Sequence, residues 1–389
     1  MIVGASVLQL PAILKAKEMG YHVAVVDFNP SAVGIPYANA YYNASTMDEE
    51  AVLRAAEDYR PDGIMTLATD MPMRGVSRVS EKLHLHSIPY ETAVKATDKY
   101  EMILAFREHG VPSPWFFVAD SPEELVSHEA ELTYPCIIKP TDNAGSHGVA
   151  EVFSFKELMD NYEYAHSCSR HGRVIVEEYL DGPEVSVEVM AIGGKVQVLQ
   201  ITDKLTTGAP HFVEMGHSQP SMLPAPIQEA IREVAVSACR AVGIDKGPAH
   251  IEMKVTDRGP VMIELGARMG GDNITTHLVP LSTGIDMVEA TIRIAMGETP
   301  DLTPTLRCGA AIRYFEASFG TIRSIGNVAE AETISGVKQI TFTKGIGEES
   351  GPIRCSNDRI GFVITQGATA SEAVAACLKA VSTVKIEVD

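Results

Sequence analysis

The sequence predicts a mixed fold, α/β at its start and α+β further on, built from more than one domain. Three observations carry that expectation. Residues 1 to about 95 alternate strand-like and helix-like segments in a βαβαβ order. The middle of the chain holds paired alternating strands joined by turn residues, HIEMKV and VMIEL around TDRGP being the clearest case. From about Thr305 onward short strands are separated by Gly-rich turns. A length of 389 residues fits two or three domains.

Composition excludes several classes of function. Hydrophobic residues make up 45% and charged residues 21%, as in ordinary globular proteins. A formal net charge of -19 repels polyphosphate backbones, so nucleic acids and anionic membranes are not expected partners, although a local basic pocket for a nucleotide stays open. No apolar run approaches membrane-spanning length. Cys136, Cys168, Cys239, Cys308, Cys355 and Cys377 are scattered without a CxxC spacing, so they are expected to be small buried residues in a reducing, cytoplasmic compartment. The apolar start MIVGASVLQLPAIL is broken by Lys15 and Lys17 and reads as strand and helix rather than a signal peptide. A strand beginning at Met1 implies either a native start slightly upstream or a short edge.

In the first segment MIVGAS, HVAVVDF and GIMTLAT read as parallel strands, with helices through Leu14 to Met19 and near Glu49 to Asp58. Gly4 and Ser6 sit where a phosphate loop would form, and Asp27 where a ribose-binding acid would sit. The second and third glycines of GxGxxG are missing, however, and a tight turn at Gly4 with a capped strand at Asp27 is the plainer reading. Thr69 and Asp70 end the third strand, where they line a substrate pocket or Asp70 caps the next helix. TDKYEMILAFREHG then predicts a capped helix ended by Gly110, and Pro112 and Pro114 open an extended hinge. Lys99 opposes the dipole at that helix start, which points to an external anion or to a solvated lysine.

YPCIIKPTDNAGSHGVAEV predicts a buried strand delivering Lys139, a loop with Gly145, Ser146 and Gly148, and a second strand. Small residues let backbone amides approach phosphates, which a lysine at the strand end neutralises; a plain glycine turn is the alternative. The pattern is not Walker A, since no GK[ST] opens a helix after it. VIVEEYLDGPEVSVEVMAI carries Glu177, Glu178, Tyr179, Leu180 and Glu184, a strand end suited to adenine and ribose or simply an acidic edge. ITDKLTTGAPHFVEMGHSQPSMLP, with Lys204, His211 and Glu214, reads as a long functional loop. A helix from Pro226 to Val242 follows.

The hairpin His250 to Gly271 comes next. With a three- or five-residue loop centred on Arg258, residues across it sum to a constant and Glu252 falls opposite Glu264. Like charges so placed destabilise a sheet unless a cation lies between them, and Mg²⁺ prefers carboxylates supplemented by water and phosphate. Arg268 shares their parity and suits a carboxylate or phosphate. The alternative is a solvated edge whose glutamates face water. His277 and Asp286 read as packing or capping residues, and Arg359 stands out as a polar exception in the C-terminal part.

Taken in order along nearly the whole chain, TDKYEM, IIKP with its glycine loop, VEEYLDGPEVS, HIEMKV with VMIELGAR, STGIDMVEATIRIAMGE and NDRIGFVITQGATASEA resemble the ATP-grasp superfamily. Within it the chain is most similar to carboxylate–amine ligases of the biotin carboxylase and L-amino acid (dipeptide) ligase kind. The resemblance implies an N-terminal Rossmann-like domain at 1–95, an ATP-grasp domain at 96–304 with a small ATP-binding subdomain at about 112–182, and a C-terminal α+β cap at 305–389. It implies that Lys99, Lys139, Lys204 and the loop residues Gly145, Ser146 and Gly148 contact the nucleotide. Glu177, Glu178, Tyr179 and Leu180 would surround adenine, and Glu184 would hold the ribose. Glu252 and Glu264 would bind Mg²⁺, with Mn²⁺ as the alternative ion, while Arg268 and Lys139 act on the transferred phosphoryl group. One departure is Gly266, where many relatives carry an asparagine that completes the metal shell.

The implied reaction is ATP-dependent activation of a carboxylate as an acyl-phosphate, followed by attack of an amine, in a cytoplasmic homodimer acting on small molecules. A purine-pathway ligase or carboxylating enzyme using a phosphoribosyl compound or bicarbonate is the rival, and a non-catalytic ATP-binding protein is a third reading.

Overall fold

The computed structural model describes residues 1–143, 147–209 and 211–389. At the N-terminus β1 (Ile2–Val3), β2 (Ala24–Asp27) and β3 (Ala40–Asn43) form a parallel sheet in that order, with α1 (Leu10–Glu18) connecting β1 to β2 and α2 (Glu49–Tyr59) following β3. The third strand differs from expectation. GIMTLAT contributes only a bridge from Met65 to Ile2, and YANAYYN supplies β3 instead. The ladder cannot continue past Met65 because Ala68 turns the chain through a left-handed conformation at φ 61°. Asp27 accepts hydrogen bonds from the amides of Ala5 (2.7 Å) and Asn29 (2.9 Å), so its carboxylate ties down the turn at Gly4. The chain continues through α3 (Pro72–Leu83), α4 (Tyr90–Lys95) and α5 (Lys99–Glu108). Asp98 caps α5 by accepting from the amides of Tyr100 and Glu101, and Gly110 at φ 69° lets the chain leave it.

A second, antiparallel sheet has the order β4 (Phe116–Ala119), β7 (Val174–Glu178), β5 (Cys136–Pro140), β6 (Ala150–Val152). Two helices, α6 (Pro122–Ser127) and α7 (Phe155–Cys168), lie with it, and Leu125, Ile138, Leu158, Tyr162 and Val176 form a core of its own. A separate core leaves this unit without the interdigitation that would lock it to its neighbours.

The third sheet is the largest, eight strands with every neighbouring pair antiparallel. It brings together β8 (Glu184–Ile192), β9 (Lys195–Thr206), β10 (Glu214–Gln219), β11 (Gly247–Thr256), β12 (Gly259–Gly266), β13 (Gly309–Phe315), β15 (Val337–Phe342) and β17 (Gly361–Gly367). Their spatial order is β12-β11-β8-β9-β10-β13-β17-β15, so the C-terminal strands extend the sheet that carries the central hairpin. One face is covered by α8 (Ala225–Val242), which buries Ile231, Ala235, Ala238, Cys239 and Val242 at helical spacing. The stretch expected to be a long loop is instead the end of β9 and all of β10, joined by a short turn. The strand period is disguised because the polar Lys204, Glu214 and His217 line the cavity and Thr202, Ser218 and Gln219 are buried, while Leu205 is exposed.

Beyond the hairpin come α9 (Val279–Thr283) and α10 (Met287–Ala295), the latter capped by Asp286 through the Glu289 amide (2.9 Å). The remaining strands β14 (Gly320–Gly326), β16 (Glu349–Ser350) and β18 (Lys385–Val388) make a small sheet, with α11 (Val328–Glu332) and α12 (Ala370–Thr383) packed nearby. No helix among the described residues is long and apolar enough to cross a membrane.

Candidate active site

A cavity of about 370 Å³ opens between the four-stranded sheet, the large sheet and the Ala68 to Asp70 turn. Lys99, Lys139, Glu177, Glu178, Tyr179, Leu180, Glu184, Lys204, Glu252, Glu264 and Arg268 all line it. Gly145 and Ser146 lie outside the described residues. Gly148 lies between the lining residues His147 and Val149, and at φ 81° a Cβ there would meet that of Cys168 at 2.7 Å. Its bareness serves close packing of the turn.

Glu252 and Glu264 face each other, but not for the reason the sequence offered. The hairpin closes with Thr256 opposite Gly259, a two-residue loop of Asp257 and Arg258, which by itself would set Glu252 against Ile263. A bulge between Glu252 and Met253 adds one residue on β12 and restores Glu252 opposite Glu264. Each carboxylate is met by one lysine from a different element. Lys204 Nζ lies 2.9 Å from Glu252, and Lys99 Nζ lies 3.1 Å from Glu264 while donating to the Asn143 carbonyl at 2.8 Å. The lysine that opposes its helix dipole is therefore held by an acid and a carbonyl on the cavity wall.

Lys204 is the most enclosed cation of the site, its side chain 2% exposed among Glu184 (2.5 Å), Glu252 (2.9 Å) and Glu214 (3.5 Å). Burial opposes its charge, but Glu252, Glu184 and Glu214 outweigh burial and raise its pKa well above the ordinary value. Burial likewise opposes ionisation of Glu252, yet Lys204 and His250 hold it well below the usual carboxylate range. His250 Nε2 is 3.2 Å from Glu252 and its Nδ1 is 2.6 Å from Glu188, a fully buried acid on β8. Burial lowers the imidazole's proton affinity, and the Glu188 carboxylate more than reverses this, raising its pKa to about 9.

Lys139 and Glu177 form a close pair at 2.6 Å on the opposite wall, with side chains 7% and 8% exposed. Glu178 turns outward to Arg258 (2.7 Å). Arg268 makes a two-pronged pair with Asp70, Nε to Oδ1 at 2.8 Å and Nη2 to Oδ2 at 3.0 Å. Asp70 is thus a wall residue, since α3 begins without a side-chain cap. Arg359 holds Asp272 through 2.7 and 2.9 Å contacts and lies 3.8 Å above the Tyr314 ring, with His217 3.4 Å from the same carboxylate.

Among these, Glu188, His250, His217 and Asp272 were not singled out in the sequence. The first two were signalled by strand alternation: in EVSVEV the polar residues Glu184, Ser186 and Glu188 share a face, and register sets them against Lys254, Glu252 and His250. Asp272, at φ 50°, sits in a turn whose direction no period encodes.

The hairpin carboxylates fit a divalent cation: they face one another, line the cavity and are held ionised on the Glu252 side. Among the described residues no cluster of three His, Cys, Asp or Glu side chains could hold a metal alone, so other oxygens must come from phosphate and water.

Residues 132–277 match the family model described as ATP-grasp domain, and residues 313–389 match the L-amino acid ligase C-terminal domain 2. The chain carries an ATP-grasp domain. A formate-dependent phosphoribosylglycinamide formyltransferase of Rhodococcus jostii is 28% identical over 325 residues, 81% of this chain and 79% of that one. The crystal structure of an L-amino acid ligase from Bacillus licheniformis superposes with a TM-score of 0.85 at 23% identity, covering 100% of this chain and 98% of the other. The biotin carboxylase domain of Hydrogenobacter thermophilus 2-oxoglutarate carboxylase, solved as a dimer with MgADP, ADP and bicarbonate, gives 0.78 at 19% identity, covering 100% and 90%. Both superpositions establish the ATP-grasp fold.

Proposed function

We propose that this ATP-grasp chain joins a small-molecule carboxylate, of which an amino acid is the favoured kind, to an amine at the expense of ATP. The carrying observation is the facing pair Glu252 and Glu264, with Lys99, Lys204 and Arg268 on one cavity wall. The match of residues 313–389 to the L-amino acid ligase C-terminal domain favours amino acids.

In this reading a carboxylate oxygen attacks the terminal phosphorus of ATP, ADP leaves, and the amine nitrogen then attacks the acyl-phosphate carbon and expels phosphate. The obstacle is the approach of anions, so catalysis lies in positioning and charge compensation. Glu252 and Glu264 would hold Mg²⁺, which when bound would supply neutralisation of the phosphate charge. Lys139 and Lys99 meet the nucleotide phosphates, Arg268 steadies the acyl-phosphate, and Lys204 keeps the acidic wall from repelling the incoming substrate. Tyr179 and Leu180 flank the base with Glu177 and Glu178, and Glu184 takes the ribose. The reading carries the division into units at 1–95, 96–304 and 305–389, and a cytoplasmic homodimer.

A panel of amino acids scored for ADP release tests the proposal: release should require a carboxylate and an amine together, and Glu264→Ala should lower it by about 10²–10³-fold. The resemblance to the formate-dependent phosphoribosylglycinamide formyltransferase supports a second reading, a phosphoribosyl amine as acceptor. Such amines with formate in the same assay separate the two.

A further inference from the structure

Strand β12 delivers Glu264 to the cavity wall, and strand alternation points position 266 to the same face two residues on. The chain has glycine there, and the space a side chain would take is filled from another part of the molecule. A Cβ at Gly266 would stand 2.4 Å from Asp70 Oδ1 and 3.1 Å from Arg268 Nε and Cζ. No side chain fits while Asp70 is in place. Asp70 arrives through a turn in which Ala68 takes φ 61°, a conformation that costs a non-glycine residue free energy and is held by its surroundings. Both Asp70 oxygens are spent on Arg268, and both residues line the cavity beside Glu264.

We propose that Asp70 is the positioning residue of the phosphoryl site: its carboxylate, seated in the space left by Gly266, fixes the guanidinium of Arg268 towards the acyl-phosphate. This rests on the ligase reading, in which Arg268 meets that group. The geometry explains why the pair is two-pronged. Asp70 takes Nε and one Nη2 hydrogen and the Met269 carbonyl accepts one from Nη1 at 3.3 Å, fixing the plane of the guanidinium so that the other Nη hydrogens stay directed. A guanidinium swinging about its own stem would meet the transition state in the right place only part of the time, and a displacement near 1 Å can cost roughly 100-fold in rate.

The test is a cycle of variants, Asp70→Ala, Gly266→Ala and the pair together, with Asp70→Asn as the conservative form. Each is measured for amino-acid-dependent ADP release, for calorimetric affinity towards a non-hydrolysable ATP analogue with Mg²⁺, and for melting temperature. Asp70→Ala and Gly266→Ala should each lower kcat by roughly 100-fold, with analogue affinity within threefold of the parent, and Asp70→Asn should recover part of the loss. Gly266→Ala should cost little further once Asp70 is Ala, since the obstructing carboxylate is gone. Single variants within threefold of the parent kcat overturn the proposal, as does a Gly266→Ala penalty that is the same in both backgrounds. Loss of analogue affinity in step with kcat overturns it too, because Asp70 would then serve the nucleotide or its metal. A parent chain that never releases ADP with any carboxylate and amine overturns the ligase reading and this role with it.

Discussion

Two buried lysines face the same cavity from opposite sheets and are held in opposite ways. Lys139, on β5, has one acid against it, Glu177 at 2.6 Å, in a one-to-one pair of mostly buried side chains. Lys204, on β9, has three, Glu184, Glu214 and Glu252; with Lys254 3.3 Å from Glu184 and His250 between Glu252 and Glu188, four acids on this wall face three cations, a surplus of one negative charge. The difference assigns the walls distinct chemistry. A neutral pair yields its lysine only to an anion that attracts it more strongly than one carboxylate does, such as a polyphosphate. A surplus of acid, poorly screened beneath the surface, attracts further cations, whether metal or ammonium.

The sharpest way to break that comparison is to neutralise one acid on each wall. Glu177→Gln leaves Lys139 buried without a counter-ion, and breaking such a pair costs about 3–5 kcal/mol. Glu184→Gln leaves Lys204 with two carboxylates and should cost about 1 kcal/mol. Chemical denaturation of both variants in the absence of nucleotide checks this, and equal losses would show that the walls are not different. On function the order reverses for the acid that faces the nucleotide. Glu264→Ala should lower kcat/KM by about 10²–10³-fold, the range seen when one electrostatic contact to a developing charge is lost, while Lys99, freed of its partner, weakens the dependence on magnesium concentration.

Acidity offers a gentler probe of the same wall. Glu188 raises the pKa of His250 to about 9, above the ordinary 6.5, in spite of burial. A folded-state pKa raised above the unfolded one contributes stability that is complete below about pH 6.5 and lost as pH rises through about 9. The stability of the metal-free chain should therefore fall between those pH values by an amount on the order of 1–3 kcal/mol, read as a falling melting temperature, and His250→Gln should flatten the profile. An unchanged slope in that variant would place the titrating group elsewhere.

Much of the fold and the site was legible because the chemistry sits on strands whose alternation survives in the sequence. Lys139 at the end of CIIK, Glu252 in HIEMKV and Glu264 in VMIEL are read directly from the period-two pattern. The hairpin pairing was right although the turn was not: the loop has two residues, and the bulge at Ile263 that repairs the register leaves no mark in composition. The strands β9 and β10 were hidden for the opposite reason. Lys204, Glu214 and His217 look like loop residues because a cavity, and not solvent, receives their polar side chains. The meeting of Asp70 with Gly266 was out of reach, since 196 positions separate two residues that share one volume of space.

The smallest expected effect lies where the two walls touch at the rim. Arg258, at the tip of the β11–β12 hairpin, meets Glu178 at the end of β7 at 2.7 Å, joining the large sheet to the four-stranded one. With the arginine side chain 56% exposed, water screens the attraction and ordering two long side chains offsets most of what remains. Arg258→Ala should then leave stability within about 0.5 kcal/mol. Its place across the mouth of the cavity gives it a different measurable consequence: the pair bridges units with separate cores, so losing it frees one wall to move against the other. Nucleotide association and dissociation rates followed by stopped-flow should both rise by a small and similar factor with Kd unchanged. A rise in Kd carried by the dissociation rate alone would make Arg258 a nucleotide contact and the rim a part of the site.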